Sequence, residues 1–214
     1  MKYIIMCGGH YEQWQTPKHL LEINGEPIVA RTIRLLRESG ITDIAISSDN
    51  PAFEQFGVPV LKHNNDYNVR GYNDSDGYWC NAFYPTDEPT CYVFGDVIFS
   101  PKAIQTIVRT GTRDIMLFGS KPPYAKEYPK KYPEPFAFKV VNTDHLKRAC
   151  VQVKRLDKDG AFNRVPIAWE LWSVIRNKAP NKMDWLYTAV NDYTCDIDTP
   201  DEIKQVMEAI NYEV

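Results

Sequence analysis

Three segments of the chain combine glycine, lysine and aspartate in patterns that suit the binding of phosphate groups. The first is Cys7-Gly8-Gly9-His10, which directly follows a short apolar run and is followed in turn by Lys18. Glycines at such a place let successive backbone N–H groups approach an anion that a Cβ would hold away. The segment is therefore a candidate phosphate-binding loop, and an ordinary tight turn after a strand is the alternative.

The other two segments place aspartates at the ends of apolar runs. Asp96 follows Phe94-Gly95, and an aspartate at the carboxyl end of a strand in an open α/β sheet points into the crevice where such folds bind ligands. Asp196 and Asp198 are two residues apart, so both face the same way on an extended strand. The simpler interpretation of all three is local, because aspartates also begin turns and stabilise helix N-termini.

Short apolar strands that alternate with amphipathic helices would have to bring these segments together. The sequence predicts strands over residues 3–7, 44–47, 90–94, 114–118 and 136–141, and helices over 27–39 and 100–110. A last helix is predicted from Pro200, with Thr199 as its N-cap and Glu202 completing a capping box. This alternation is typical of an α/β fold with a mostly parallel sheet. We expect one domain over residues 1–214.

Two stretches interrupt the alternation. Residues 62–82 are rich in Asn, Asp, Gly and Tyr, and residues 120–135 contain five prolines. Neither composition suits the interior of a sheet. Long loops in compact domains commonly bind something, so we interpret both as segments that cover a substrate, with a plain surface or a contact between subunits as the alternative.

Composition excludes several classes of function. With 25 Lys and Arg against 28 Asp and Glu the net charge is −3, and no basic cluster is long enough to follow a nucleic-acid backbone. The apolar run at residues 3–7 is too short for a signal peptide or a membrane span. The five cysteines are odd in number and scattered, which indicates a reduced, cytoplasmic protein. The oligomeric state stays open, and a homodimer is one of the states that the sequence allows.

Taken in this order, the three segments resemble the nucleotidyltransferases that share one Rossmann-like domain. This group includes molybdopterin guanylyltransferase and the sugar-phosphate and choline-phosphate cytidylyltransferases. Its pattern of a glycine loop, Pro-Lys and Gly-x-Pro is present here as Gly8-Gly9, Pro17-Lys18 and Gly25-Glu26-Pro27. The resemblance implies a Rossmann-like three-layer fold with a mostly parallel mixed sheet, of the nucleotide-diphospho-sugar transferase type.

The resemblance also implies a reaction and roles for particular residues. A phosphate oxygen of an acceptor attacks the α-phosphorus of a nucleoside triphosphate and pyrophosphate leaves. Lys18, Asp96 and Asp198 are the implied catalytic residues: Lys18 binds the phosphates, and the two aspartates, with Asp196 as a further ligand, bind Mg²⁺. Mg²⁺ is commonly held by one or two carboxylates together with substrate phosphates. Cys7, Gly8, Gly9 and His10 would bind the nucleotide together with Lys18.

The choice of base and acceptor depends on other segments. Ser48, Asp49 and Asn73 are the residues that we expect to line the nucleotide pocket. The segment 73–76 is similar to the Asn-rich segment of choline-phosphate cytidylyltransferases, and this favours CTP. The pocket for the phosphorylated acceptor would draw on the three tryptophans Trp169, Trp172 and Trp185. Simple core packing is the favoured interpretation of the first two.

One departure from the family pattern leaves alternatives open. Members of the family usually carry an Arg in the glycine loop that contacts the triphosphate, and no Arg lies between Gly9 and Pro17. A non-catalytic nucleotide-binding homologue is therefore one alternative. The other is a metal-dependent glycosyltransferase that binds a nucleotide sugar through Asp196-Ile197-Asp198.

Overall fold

A computed structural model of the chain describes residues 1–8, 16–63, 78–120 and 132–212. Within these residues a seven-stranded sheet has the strand order β10-β8-β9-β6-β1-β4-β5. A two-stranded antiparallel ribbon is formed by β7 and β11, and another by β2 and β3. The strands are β1 (Lys2–Met6), β2 (Glu22–Ile23), β3 (Glu26–Pro27), β4 (Ile44–Ser47), β5 (Val60–Leu61), β6 (Thr90–Phe94), β7 (Val97–Ile98), β8 (Ile115–Gly119), β9 (Pro135–Val140), β10 (Thr188–Ala189) and β11 (Cys195–Asp196).

The large sheet is mixed and mostly parallel, as predicted. Four neighbouring pairs among the described strands are parallel, and the two pairs that include β9 are antiparallel. Strand β1 lies between β4 and β6, and Met6 is in register with Ser47 on one side and Phe94 on the other. The carboxyl ends of these three strands therefore meet at one edge of the sheet, which is where α/β folds bind ligands.

Helices flank the sheet. They are α1 (Ile28–Glu38), α2 (Pro101–Arg109), α3 (Thr143–Lys158), α4 (Ala168–Ile175) and α5 (Pro200–Tyr212). The predicted N-terminus of α2 is confirmed, because the Ser100 hydroxyl accepts a hydrogen bond from the Ala103 N–H at 2.9 Å. At α5 the Glu202 carboxylate accepts a hydrogen bond from the Thr199 N–H, which is the half of the capping box that the acidic residue supplies.

Helix α3 is not among the elements that the sequence pattern predicts. Only a narrow stripe of it is apolar and buried, at Leu146, Ala149 and Val153, and the rest is strongly charged. An apolar stripe this narrow is a weak periodic signal. Three short 3₁₀ helices are also present among the described residues, at Lys18–Leu20, Pro51–Phe56 and Tyr78–Ala82. The last of them lies inside the predicted loop 62–82, most of which, like most of 120–135, lies outside the described residues.

The buried side chains form a large core and a small one. The large core surrounds the seven-stranded sheet. The small core lies beneath α5, where Val206 and Ile210 pack with Ile28, Ile98 and Ile197. It joins the C-terminal helix to the ribbon β7–β11 and to the start of α1. The part of the chain that the structure describes contains no helix long and apolar enough to cross a membrane.

Candidate active site

Asp96 is positioned by a close approach between β6 and the end of β1. The Gly95 N–H donates a hydrogen bond to the Met6 carbonyl at 3.0 Å. A Cβ on Gly95 would lie 2.6 Å from both the Met6 carbonyl oxygen and Cys7 Sγ, and 2.9 Å from His19 Cδ2. Only glycine fits there without a shift of the backbone. The Gly-Asp pair therefore lets the chain leave β6 tightly and presents Asp96 at the ligand-binding edge.

The ribbon β7–β11 brings the C-terminal aspartates to Asp96. Asp196 is in register with Val97, and the Ile197 N–H donates to the Asp96 carbonyl at 3.2 Å. At Asp198 the backbone N–H donates to the Glu202 carboxylate at 2.7 Å. Residues distant along the chain are thus neighbours because an antiparallel ladder, continued into the start of α5, fixes their register.

Lys18 lies between the two aspartates. It begins a 3₁₀ helix that the Leu20 N–H closes onto the Pro17 carbonyl at 2.9 Å. The lysine is only 3% exposed, and its ammonium is 2.6 Å from Asp96 Oδ2 and 3.5 Å from Asp198 Oδ1. It also donates a hydrogen bond to the Ile197 carbonyl at 3.0 Å. The structure therefore brings together the three residues that the family resemblance implies as catalytic.

The electrostatics of the site follow from this burial. Burial by itself raises the pKa of the Asp96 carboxyl, but the Lys18 ammonium opposes it, and the net pKa lies below its ordinary value. Asp96 is therefore an anion at neutral pH. The Asp198 side chain is 45% exposed, so it is open to an incoming ligand while it faces Lys18.

Two further side chains border Asp96 and are neutral at neutral pH. Burial lowers the pKa of His19 to about 4, and burial raises the pKa of the Cys7 thiol well above its ordinary value. The His19 ring stands edge-on to Phe53, with 5.9 Å between ring centroids. These groups exclude water beside Asp96 and Lys18, which strengthens the ion pair between them.

Three carboxylates next to this pair could hold a divalent cation. One oxygen each of Glu134, Asp196 and Asp198 can be chosen so that all lie within 4.8 Å of one another. Oxygens on opposite sides of an octahedral Mg²⁺ are about 4.2 Å apart, twice the Mg–O distance of ~2.1 Å. A set of hard oxygen donors at this spacing fits Mg²⁺ with small adjustments. Asp96 lies outside this group of three and instead pairs with Lys18.

Glu134 is a site residue that the sequence pattern does not indicate. It is 7% exposed and is held by Ser120 on the neighbouring strand end. The Ser120 N–H donates to the Glu134 carbonyl at 2.8 Å, and the Glu134 N–H donates to Ser120 Oγ at 3.1 Å. A Cβ on Gly119 would lie 2.6 Å from the Glu134 carbonyl oxygen. A glutamate among the prolines of residues 120–135 carries no pattern of its own, so only the pairing of β8 with β9 could reveal it.

The other residues that were predicted to bind the nucleotide differ in how far the structure describes them. Gly9, His10 and Asn73 lie outside the described residues. Ser48 is fully buried, and its hydroxyl accepts a hydrogen bond from the Asn50 N–H at 3.2 Å. Asp49 is exposed. Asp49 is thus better placed than Ser48 to contact a ligand at the end of β4.

The three tryptophans fall into two groups. Trp172 is fully buried and packs against Phe138, 6.4 Å between ring centroids, as a core residue. Trp169 is also buried, and it contacts Tyr187 and Trp185 at 5.1 and 6.5 Å between centroids. Trp185 is 52% exposed. The core-packing interpretation of Trp169 and Trp172 is therefore supported, and Trp185 is the tryptophan with surface available to a ligand.

Comparison with known proteins identifies the family and similar folds. A profile of the MobA-like NTP transferase domain matches residues 3–117, which confirms the resemblance seen in the sequence. Rv0371c from Mycobacterium tuberculosis H37Rv has a similar fold, with 16% sequence identity and a TM-score of 0.53 over 97% of each chain. Its homologue from Mycobacterium sp. strain JC1 has 14% identity and a TM-score of 0.53, over 100% of this chain and 98% of that one.

A third solved structure of similar fold is that of the inositol-1-phosphate CTP transferase from T. maritima. It has 14% sequence identity and a TM-score of 0.53, over 100% of this chain and 97% of that chain. At such identities these likenesses show the fold alone. They confirm the predicted α/β architecture with its mostly parallel mixed sheet.

Proposed function

The chain belongs to the MobA-like NTP transferase family and is a nucleotidyltransferase, and on this premise we propose that it transfers CMP from CTP to a phosphorylated small molecule. The single observation that carries this proposal is the buried Lys18 ammonium held between Asp96 and Asp198. A binding module without chemistry has little need to bury a lysine between two carboxylates. We further propose that residues 1–214 form one domain and that the reaction takes place in the cytoplasm.

The proposed reaction exchanges one phosphoanhydride bond for another. An oxygen of the acceptor phosphate attacks the α-phosphorus of CTP and forms a new P–O bond. The bond from the α-phosphorus to the bridging oxygen breaks, and pyrophosphate leaves with the electron pair. A phosphate monoester has a second pKa of about 6 and is largely dianionic at neutral pH, so the chain needs no general base. Its task is to align two anions and neutralise their charge.

Lys18 is the residue that we assign to charge neutralisation between donor and acceptor. Its ammonium is already desolvated and oriented by Asp96 and the Ile197 carbonyl, so it contributes without a large reorganisation. Asp96 is then a positioning residue for Lys18 as well as a predicted metal ligand. The backbone of Gly8 lies at the end of β1, on the side where the triphosphate is expected.

Mg²⁺ is the cofactor that we propose, and it would supply a Lewis acid for the phosphate oxygens. Asp196, Asp198 and Glu134 have the donor chemistry and the spacing to hold it. Glu134 takes its position from Ser120, and Asp198 from its backbone hydrogen bond to Glu202. The chain thus presents a braced set of oxygens beside the lysine, to which the substrate phosphates would add the remaining ligands.

CTP is favoured among the nucleotides and inositol phosphate is a candidate acceptor. The T. maritima protein of similar fold is an inositol-1-phosphate CTP transferase, so both choices agree with that protein's own substrates. CTP also agrees with the interpretation of residues 73–76. Choline phosphate is the second acceptor to test, since the exposed face of Trp185 suits a cationic head group.

The test is release of pyrophosphate from CTP, UTP, GTP and ATP, each with inositol 1-phosphate, choline phosphate or a sugar 1-phosphate, with and without Mg²⁺. We expect turnover with CTP that requires the metal and one acceptor. Lys18→Met and Asp198→Asn should each lower kcat by about 100-fold or more. Lys204→Met and Asp201→Asn are the matched controls, because both residues are exposed on α5, and both variants should retain full activity.

Other outcomes would identify the alternatives. Release of sugar from a nucleotide sugar, without pyrophosphate release from any triphosphate, would indicate a glycosyltransferase. Nucleotide binding by calorimetry without turnover for any substrate pair would indicate a non-catalytic homologue. Light scattering on the same samples would decide whether the chain forms a homodimer.

A further inference from the structure

Two of the five cysteines form a pair that the proposed reaction does not use. The thiols of Cys80 and Cys150 hydrogen-bond to each other. Cys80 lies on the 3₁₀ helix Tyr78–Ala82 and Cys150 on α3, and these two elements pack directly against each other. Cys80 is 7% exposed, whereas Cys150 is half-buried. Cys150 is therefore the more exposed residue of the pair, and Cys80 is the buried one.

The other three cysteines have a different environment from that of Cys150. Cys7, Cys91 and Cys195 are buried, and burial is the largest cause that raises the pKa of each thiol, to about 12 for Cys91. Thiols react with oxidants as thiolates, so these three are poor targets. Cys80 is also buried, and its thiol pKa is also raised, whereas Cys150 is half-buried and its thiol pKa is lowered.

Lys154 is placed to favour a thiolate at Cys150. It follows Cys150 by one turn on α3, so the two side chains share a helix face. The Lys154 ammonium donates a hydrogen bond to the Asn81 side-chain carbonyl, next to Cys80. The pKa of Cys150 lies below its ordinary value, first because of the hydrogen bond from Cys80 and also because of the Lys154 charge. A partly exposed thiol of lowered pKa beside a second thiol is the arrangement of a peroxide-sensitive cysteine pair.

We propose that Cys80 and Cys150 form a reversible disulfide when the protein meets a peroxide. The Cys150 thiolate attacks one peroxide oxygen, the O–O bond breaks, and a protonated oxygen leaves as water, so that Cys150 becomes a sulfenic acid. The Cys80 sulfur then attacks the Cys150 sulfur, the S–O bond breaks, and a second water leaves. Two thiols lose two electrons in total and one peroxide is reduced to two waters. A dithiol such as dithiothreitol reverses the step by exchange.

The disulfide would join α3 to the 3₁₀ helix Tyr78–Ala82, which contacts the strand β6 that precedes the candidate active site. Trp79, the neighbour of Cys80, packs edge-on against Phe94, with 5.3 Å between ring centroids. Phe94 directly precedes Gly95 and Asp96. A disulfide between Cys80 and Cys150 closes a loop of about 70 residues, so oxidation should raise thermal stability. It would also restrain Trp79, which packs against the strand that leads to Asp96. This inference stands on the thiol pair and does not depend on the proposed reaction.

The test uses the full chain, first reduced and then treated with a few equivalents of hydrogen peroxide. Free thiols are trapped with iodoacetamide and the digest is analysed by mass spectrometry. We expect a crosslinked peptide that contains Cys80 and Cys150, two hydrogens lighter than its reduced parts, which dithiothreitol abolishes. The unfolding midpoint should rise by about 5 °C or more on oxidation. Cys91→Ala is the matched control and should keep both effects, while Cys80→Ala should lose both.

Three results would overturn the proposal. One is a wild-type protein in which both thiols remain free for iodoacetamide after peroxide treatment. Another is oxidation of Cys150 to a sulfinic acid with Cys80 untouched, because a true pair resolves the sulfenic acid first. The third is a disulfide between either residue and Cys7, Cys91 or Cys195. Since all three are read from the wild-type chain, failure of a variant to fold does not affect the decision.

Discussion

Replacement of Gly95 by alanine tests whether the close contact between Gly95 and the end of β1 positions Asp96. The added methyl would lie 2.6 Å from the Met6 carbonyl oxygen and from Cys7 Sγ. Ordinary contacts between carbon and oxygen are about 3.3 Å or longer, so a backbone atom must move by about 0.7 Å. Overpacking of this kind costs about 1–3 kcal/mol of unfolding free energy. We expect a decrease in Tm of about 3–10 °C.

The same shift should affect activity more strongly than stability. Asp96 Oδ2 is 2.6 Å from the Lys18 ammonium, and a displacement near 1 Å at a site of this kind can cost about 100-fold in rate. Urea unfolding and pyrophosphate release would measure the two effects separately. Gly111→Ala is the matched control, since a Cβ there has nothing within 4 Å and the backbone angle φ is not in the left-handed region.

The double variant Cys7→Ala, Gly95→Ala separates the effect of the Cys7 sulfur from that of the Met6 carbonyl. Cys7→Ala removes the sulfur but leaves the Met6 carbonyl, so it should restore only part of the stability that Gly95→Ala loses. The reasoning fails if Gly95→Ala unfolds at the same urea concentration as Gly111→Ala and retains its activity. Complete rescue by Cys7→Ala would show instead that the backbone at Met6 is not the obstacle.

The remaining predictions concern protonation, the cation and the thiol pair. His19 binds a proton at about pH 4 in the native state and near 6.5 when unfolded, so the unfolding free energy should fall by about 2–3 kcal/mol from pH 7 to 4.5; His19→Gln should flatten this slope in urea titrations, and an unchanged slope would exclude His19 as its source. Ser120→Ala should weaken the binding of Mn²⁺, measured by electron paramagnetic resonance, by about 10-fold because Glu134 loses one of its supporting hydrogen bonds, and unchanged affinity would exclude that hydrogen bond as a support of the metal site. Lys154→Met should slow alkylation of Cys150 at pH 7 by about 3-fold or more, and an unchanged rate would exclude its charge as a cause.

Much of the fold could be predicted because its strands are short, apolar and buried on both faces. Strands β4 and β6 have the predicted bounds, and β1, β8 and β9 differ from them by one residue. Helix α3 could not be predicted, since its buried stripe is narrow and its charged residues dominate the pattern. The ribbon strand β7 was missed because two residues carry no periodicity, although this ribbon is what brings Asp196 and Asp198 to Asp96.

The site residues divide in the same way. Asp96 and Asp198 could be found because each follows a short apolar run that reads as a strand, and Lys18 could be found through the Pro-Lys of the family pattern. Glu134 could not, because its place depends on how β8 and β9 pair across a proline-rich segment. Ser48 was expected to line the nucleotide pocket, but the turn after β4 uses its hydroxyl to bind the Asn50 N–H and buries it. The position of a residue along a predicted strand indicates at which edge of the sheet it lies. It does not indicate which neighbouring groups form hydrogen bonds with its side chain.

The charges gathered at this edge of the sheet explain why a cation belongs to the proposed reaction. The four carboxyl groups of Asp96, Asp196, Asp198 and Glu134 share this edge with the ammonium of Lys18. Two carboxylate oxygens 4.8 Å apart repel each other by about 3 kcal/mol at an effective dielectric constant of 20. Since Lys18 already pairs with Asp96, it relieves little of the repulsion between Glu134 and Asp196. A nucleoside triphosphate would add further negative charge to the same place, so the lysine by itself cannot neutralise the assembled site. A divalent cation bound among the three remaining carboxylates would lower both repulsions at once, which is the physical reason to expect that the substrate and the metal bind together.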